Sequence, residues 1–477
     1  MTADKKIKNT TRVLYGIGQV AVNAKDALFH YYFLFFFNSV LGLSGSIVGM
    51  AKLVALVFDA ITDPLMGGIT DNFRSKKYGR RHLFILIGVF PLGLSLWLLF
   101  SPPASLSTGQ LIVWMIAFAI FTRLSLTIFF IPYISLTADL TDDYRERTLL
   151  TTSRIFFGNF AGIILGIVFV VVFSANLAVL EDGSLNRAGF SGMGLVGGVV
   201  ATASIIIAFL GTRAHIPDLI KKSEKTTNVV WWRAYHEIVR AFAKPSFRTL
   251  SIGFIIVSIM AGVATAISVY MATFYWGLSS EEFIIYVLSI GVAIIPGALL
   301  APGLTKILDK KWAAIFSILM FSIFYILPIL GRTFGLIPGN GEPGLFEIVV
   351  GFTFIGQIFS ISIMIVTEAM MADVASEYEL KTGRRQEGIL FSAVMFARKA
   401  SFGLGGFIAG VSLDLVKFPT QQKSESVEPE ILINMGLLMG PIVFVLCLIA
   451  GFFLLGYPIT RETHARTIEA LHAQRAI

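Results

Sequence analysis

Charge, cysteine and clustered histidine are all scarce in this 477-residue chain. Asp, Glu, Lys and Arg make up 14% of it, against roughly 25% in a soluble domain. With 55% hydrophobic residues and so little charge, the chain cannot cover a soluble surface. One cysteine, Cys447, excludes a disulfide framework and any zinc site built from several thiolates, and its apolar surroundings make it a packing residue. The six histidines are scattered, and no nucleophile–base grouping falls at a common depth, which argues against an enzyme. A net charge of +8 would suit nucleic acid, but the positive residues are segregated by topology, which removes that reading.

What is present is apolar length. Leu83–Ser101, Ala313–Gly331 and Met435–Tyr457 are each long enough to cross about 30 Å of hydrocarbon at about 1.5 Å per residue. Apolar runs set against turn signals predict twelve spans: 14–38, 45–70, 83–101, 109–138, 151–176 and 190–211, then 249–278, 281–307, 313–333, 344–372, 389–415 and 433–457. The expected domains are an N-terminal six-helix bundle (1–211), a cytoplasmic connector (212–248), a second bundle (249–457) and a cytoplasmic tail (458–477). The connector carries an amphipathic segment over 229–243. The tail reads as a short amphipathic helix (Thr467, Ile468, Leu471) suited to docking or targeting. The polar, basic start is followed by an apolar stretch too long for a cleavable leader.

Of the 38 Lys and Arg, only Arg187, Arg332, Lys417 and Lys423 fall in the loops that would face outward. Lys25, Lys52, Arg123, Arg154, Arg398 and Lys399 fall inside spans, and all the others lie in segments on one side. The positive-inside rule therefore places both termini in the cytoplasm of a multi-pass inner-membrane protein.

Charge inside the spans needs an account, because each such group costs about 2.5–3.5 kcal/mol on insertion scales unless paired or hydrated. Asp26 lies about 12 residues, roughly 18 Å, from the cytoplasmic face, and Asp59 about 11 residues, roughly 16 Å. Asp63, Thr127 and Lys399 fall near the same level, the midplane depth at which carriers place their sites. Asp59 and Asp63 are spaced i, i+4 and project from one face. Two acids one turn apart in low dielectric take up a proton or share a cation, which is the chemistry of a Na⁺, Li⁺ or H⁺ site. Thr62 adjoins them and Thr127 adds a hydroxyl. Pro64 and Pro132 free the carbonyls of Ala60 and Ile128 beside these ligands. Arg123 and Arg398 are equally readable as pairs that hold helices together. His30, one turn from Asp26, is a cavity residue or a packing residue. A continuous pore fits poorly, since a duplicated bundle with mid-depth acids suits alternating access.

These residues resemble a known family. Phe58–Gly68 (FDAITDPLMGG), Asp71 and Tyr78–Arg81 (YGRR) are similar to the glycoside–pentoside–hexuronide cation symporters, the melibiose permease-like branch of the major facilitator superfamily. Lys25-Asp26, Ile131-Pro132-Tyr133 with Ser135-Leu136, Tyr144–Arg147 (YRER) and Thr382–Gly388 (TGRRQEG) leading to Lys399 extend the likeness over essentially the whole chain. The resemblance implies an all-α membrane protein of twelve helices in two pseudo-symmetric six-helix bundles, the major facilitator fold, rocking about a central cavity.

It further implies a cation site of Asp59, Thr62, Asp63 and Thr127, and a substrate site of Asp26, Phe130, Arg154 and Lys399. Coupling or gating is expected of Lys399, Asp71, Arg80, Arg81 and Arg123, with the basic loop Asp71–Arg81 locking against Asp142, Asp143 or Glu146 and against helix ends in the outward-open state. The expected function is cation-coupled symport of a sugar or glycoside, with Na⁺ or H⁺ (Li⁺ as a variant) as coupling ion, no cofactor, no further metal and a monomeric state. Two departures bear on it. Thr62 stands where the family has an amide, which weakens the case for Na⁺ against H⁺. Phe130 stands where the family has a second sugar-binding acid, whose loss costs about 1.5–3 kcal/mol toward a sugar. A carrier of an amphipathic or non-sugar solute such as a lysolipid is therefore the alternative. The aromatics of span one (Phe29, Tyr31, Tyr32, Phe33, Phe35, Phe36, Phe37) are expected mostly to face lipid.

Overall fold

A computed structural model describes residues 7–141, 143–176, 187–223, 242–382, 387–421 and 427–475. The predicted amphipathic segment of the connector falls mainly outside these residues. Every element among them is helical. The chain divides into two compact units, Met1–Val229 with Pro419–Lys423, and Val230–Phe418 with Ser424–Ile477.

In the first unit α1 (Asn9–Ile17) and α2 (Gln19–Asp26) run into two π-helical stretches, Ala27–Tyr32 and Phe36–Val40, separated by one α-turn, Phe33–Phe35. Then follow α3 (Gly45–Asn72), α4 (His82–Leu99), α5 (Thr108–Leu140), α6 (Tyr144–Asn176), α7 (Arg187–Thr212) and the short α8 (Ile216–Ser223). The second unit contains α9 (Pro245–Tyr270), α10 (Ser280–Val292), α11 (Ile294–Ile307), α12 (Lys310–Thr333), α13 (Leu345–Thr382), α14 (Glu387–Leu415), α15 (Pro429–Leu455) and α16 (Arg461–Arg475). Among the described residues eleven helical segments are long and apolar enough to cross a membrane, with α10 and α11 forming one of them. The first span, broken by its π stretches, makes the twelfth.

That first span overturns one expectation. Phe29, Phe33, Phe35, Phe36 and Phe37 are fully buried and Tyr32 nearly so; of the seven aromatics only Tyr31 is open. Phe29 stacks on Phe33 at 4.8 Å between centroids, and Phe33 meets Phe37 at 5.0 Å in a tilted contact. A helix that is apolar on all sides is one enclosed by its neighbours, and aromatic density here marks a core position rather than a lipid-facing one.

The two units share a local construction. Span one ends in the π stretch Phe36–Val40, followed by Gly42 at φ +82° and by Ser44, which caps α3. Span seven ends in the π stretch Met271–Tyr275, followed by Gly277 at φ +58° and by Ser279, which caps α10. The backbone bonds match: Leu41 N–H to Phe36 O and Leu43 N–H to Phe37 O in one, Trp276 N–H to Met271 O and Leu278 N–H to Ala272 O in the other. Both corners carry the tripeptide Gly-Leu-Ser, because each needs a left-handed glycine and then a hydroxyl cap. Within the first unit α4 and α7 approach closely, and a Cβ on Gly198 would stand 2.4 Å from the Gly93 carbonyl oxygen.

Candidate functional site

On α3 the apolar residues Val54, Ile61, Leu65 and Ile69 are exposed, the pattern of a lipid-facing stripe. At about 100° per residue, Lys52, Asp59 and Asp63 cluster within roughly 40° of arc on the opposite face. Asp59 is fully buried and Asp63 half-buried. On α5, Arg123 and Thr127 are one turn apart and also buried. The Thr127 hydroxyl oxygen lies 2.9 Å from Asp59 Oδ1 and 2.8 Å from Asp63 Oδ1. A hydroxyl has one hydrogen, so it donates to one carboxylate only. The three-oxygen chain closes when one acid carries a proton or a cation is shared between them.

Arg123 stands on the other side of Asp59, with Nη1 3.6 Å from Asp59 Oδ2. Its guanidinium carbon lies 4.1 Å from the centre of the Phe29 ring, a cation–π contact at membrane depth. Lys25 pairs with Asp26 and lies within electrostatic reach of Asp59 and Arg123. His30 Nε2 is 3.0 Å from Asp26 Oδ1, so the histidine belongs to this polar group rather than to the packing. Lys52, fully buried, donates to the His30 carbonyl at 3.0 Å, inside the first π stretch. Widening a helix to π spacing displaces carbonyls from their usual partners, and a buried ammonium supplies the donor. Lys52 was legible as a lone lysine in an apolar run, but its partner depends on a helix irregularity that periodicity does not reveal.

The other predicted residues fall as follows. Thr62 donates to the Asp59 backbone carbonyl at 3.2 Å, which commits its hydrogen to its own helix. Both Pro64 and Pro132 are carried inside continuous helices. Phe130 is half-buried, 6.5 Å between centroids from Tyr133. Arg154 is half-buried on α6 near the Tyr15 hydroxyl, which also meets Thr137 at 2.7 Å and donates to the Tyr133 carbonyl at 3.1 Å. Lys399 is half-buried on α14, in the second unit.

The basic loop engages a different acid from those expected. Asp139, on α5, accepts from Arg80 Nε at 3.2 Å and Arg81 Nε at 3.1 Å, while Arg81 also reaches Asp71 and Thr70. Glu146 is held instead by Arg12 of α1 at 2.7 Å, and Asp143 accepts the Glu146 amide at 2.7 Å as a cap for α6. Asp142 lies outside the described residues. The reason is reach: Asp139 sits on the last turn of α5 beside the loop, whereas residues 143–146 already belong to the start of the next helix. The second unit has its own clasp, Lys310 to both oxygens of Asp373 at 2.7 Å. The tail helix α16 closes on it, with His464 3.4 Å from Asp373. Arg461 donates to the carbonyls of Thr305, Lys306 and Leu308 at the end of α11. Sequence reasoning also missed Glu368 of α13, which lies 3.7 Å from Arg398 of α14.

A family model described as "MFS/sugar transport protein" matches residues 14–461. Among its relatives the chain is 28% identical over 427 residues to the uncharacterized symporter YnaJ of Bacillus subtilis, covering 88% of this chain and 85% of that one. It is 26% identical to the isoprimeverose transporter of Lactiplantibacillus pentosus (84% and 79% covered). It is 25% identical to the putative glycoside/cation symporter YagG of Escherichia coli (97% and 94% covered). Among solved structures, the fold is similar to a bacterial homologue of the human lysosomal transporter Spinster, with TM-score 0.64, 15% identity and 96% and 97% of the two chains covered. It is also similar to the inward-open xylose transporter XylE of E. coli, with TM-score 0.60, 14% identity and 96% and 98% covered.

Proposed function

The chain belongs to the MFS/sugar transport protein family, and on that footing we propose that it is a cation-coupled symporter of a sugar or glycoside, working by alternating access in the inner membrane with both termini cytoplasmic. The observation that carries this reading is the Asp59–Thr127–Asp63 chain, two acids joined through one hydroxyl on the protein-facing side of two membrane helices. Such a group binds and releases one positive charge, H⁺ or Na⁺, as its surroundings change. The relatives named as an isoprimeverose transporter and as a glycoside/cation symporter support a sugar-like cargo. Asp26, 39% exposed and held by Lys25 and His30, is the accessible acceptor for solute hydroxyls in the first unit. The half-buried Phe130 favours a glycoside, with an apolar aglycone or second ring, over a small monosaccharide. The arginine clasp on Asp139 is the cytoplasmic gate of the first unit, made and broken as the carrier cycles.

Purified protein in liposomes tests the reading, with Na⁺ and pH gradients imposed separately and labelled isoprimeverose, xylose and glucuronate offered as solutes. Uphill uptake of at least one under one of the gradients is expected. Absence of uptake of all three under both would overturn the proposal.

A further inference from the structure

The second unit holds an ion pair unlike its structural ones. Lys310–Asp373 and, in the first unit, Arg12–Glu146 close to 2.7 Å, with their carboxylates largely shielded. Glu368 and Arg398 stand 3.7 Å apart with 43% and 36% of their side chains open. Both residues fall inside the predicted spans 344–372 and 389–415, Arg398 about 16 Å along α14 from its first residue and Glu368 a little over one turn before Asp373 of the clasp. A tie between helices within an apolar span has no reason to be loose and open, since exposure to hydrocarbon is costly.

The surroundings show which way it opens. On α14 the exposed apolar residues Phe396 and Leu404 lie about 160° and 120° around the helix from Arg398. Arg398 therefore turns away from the lipid-facing stripe. On α13, Gln357, Ile361, Met364 and Glu368 fall along one stripe, polar at both ends, with Met364 44% exposed beside the pair, so on this helix the open face is mixed rather than a purely apolar lipid-facing one. Beside Arg398 are the Met364 sulfur, 3.8 Å from Nη2, and the Phe254 ring, 5.9 Å away. A guanidinium offers five N–H donors, and a thioether and a carboxylate at 3.7 Å use them weakly.

We propose that Glu368 and Arg398 are the second unit's contact with the transported solute, a hydroxyl-recognising pair in which Arg398 donates to ring and hydroxyl oxygens and Glu368 accepts from hydroxyl groups. A donor fork, an acceptor and an adjoining aromatic ring are the complement of a polyhydroxylated ring with one apolar face. This assignment rests on the transport reading above and adds two specificity-determining residues to it.

Met364→Cys tests it with Glu368 and Arg398 both in place, because the one native thiol, Cys447, is buried and serves as an internal unreactive control. The purified variant is treated with a charged, water-borne thiosulfonate with and without saturating isoprimeverose, xylose or glucuronate. Leu336→Cys, in an open loop, is the exposed control. The thiol at 364 is expected to react far faster than Cys447, and a solute that this variant transports is expected to slow it about fivefold or more while leaving residue 336 unaffected; adding Glu368→Gln or Arg398→Gln is expected to abolish that protection. A thiol at 364 as inert as Cys447, or one unprotected by a solute that the same variant takes up, overturns the assignment and leaves the transport reading standing. Failure of wild-type liposomes to take up any of the three removes the transport reading, and this assignment with it.

Discussion

Thr127 carries one hydrogen and faces two acids, and the chemistry proposed for the first unit turns on that mismatch. Thr127→Val keeps the shape and removes the oxygen. The expected result is accumulation reduced about tenfold or more with downhill exchange retained, read as the ratio of the two fluxes, since the acids lose the group through which they share a charge. Arg123 is expected to behave differently. It is 2% exposed and stands against a carboxylate that is 0% exposed, so Arg123→Ala removes one cationic partner of a buried charge and should cost up to about 3–5 kcal/mol of stability. Adding Asp59→Asn should restore most of the melting temperature but none of the uphill transport. A double variant no more stable than Arg123→Ala alone would show that the pair is not coupled. The repeat sharpens the contrast. At the spacing that relates Gly42-Leu43-Ser44 to Gly277-Leu278-Ser279, the positions matching Asp59 and Asp63 are Ile294 and Ala298. Acids needed only to build a six-helix unit would be expected in both copies.

At the level of elements, the helices were legible and their irregularities were not. All twelve spans were readable from apolar length and loop charge, with ends differing most where polar helix continues beyond the apolar run: α6 starts at Tyr144 against a predicted 151, and α13 ends at Thr382 against a predicted 372. The acid pair was legible from spacing alone, since i, i+4 fixes a shared face. The π stretches were invisible because no composition announces them. With them went the burial of the span-one aromatics and the partner of Lys52. The Asp139 clasp was missed because an acid at a helix end is ordinary, and only the loop's path selects it. Two predictions belong here. Gly198→Leu forces side-chain atoms into the Gly93 backbone of α4 and should lower folded yield sharply, measured by monodisperse protein in detergent. Deletion of the tail from residue 459 onward removes the Arg461 contacts that satisfy the last carbonyls of α11. Hydrogen exchange should then rise in the last turn of α11 and around Lys310, with the first unit unchanged. Unaltered exchange there would show the tail to be a passive appendage.

For the molecule as a whole, duplication supplies two similar units and the chemistry differs between them. One holds the paired acids beside Arg123 and Lys25, and the other holds Lys399 and the open Glu368–Arg398 pair. A carrier needs just such a division, because a solute and a cation can drive each other only if each changes what the other meets. The most direct test compares wild type, Asp59→Cys and Asp63→Cys in liposomes under an inward cation gradient, recording steady-state solute accumulation alongside equilibrating exchange. The wild type should concentrate solute, and both variants should equilibrate it without concentrating it. Undiminished accumulation in both variants would contradict the account.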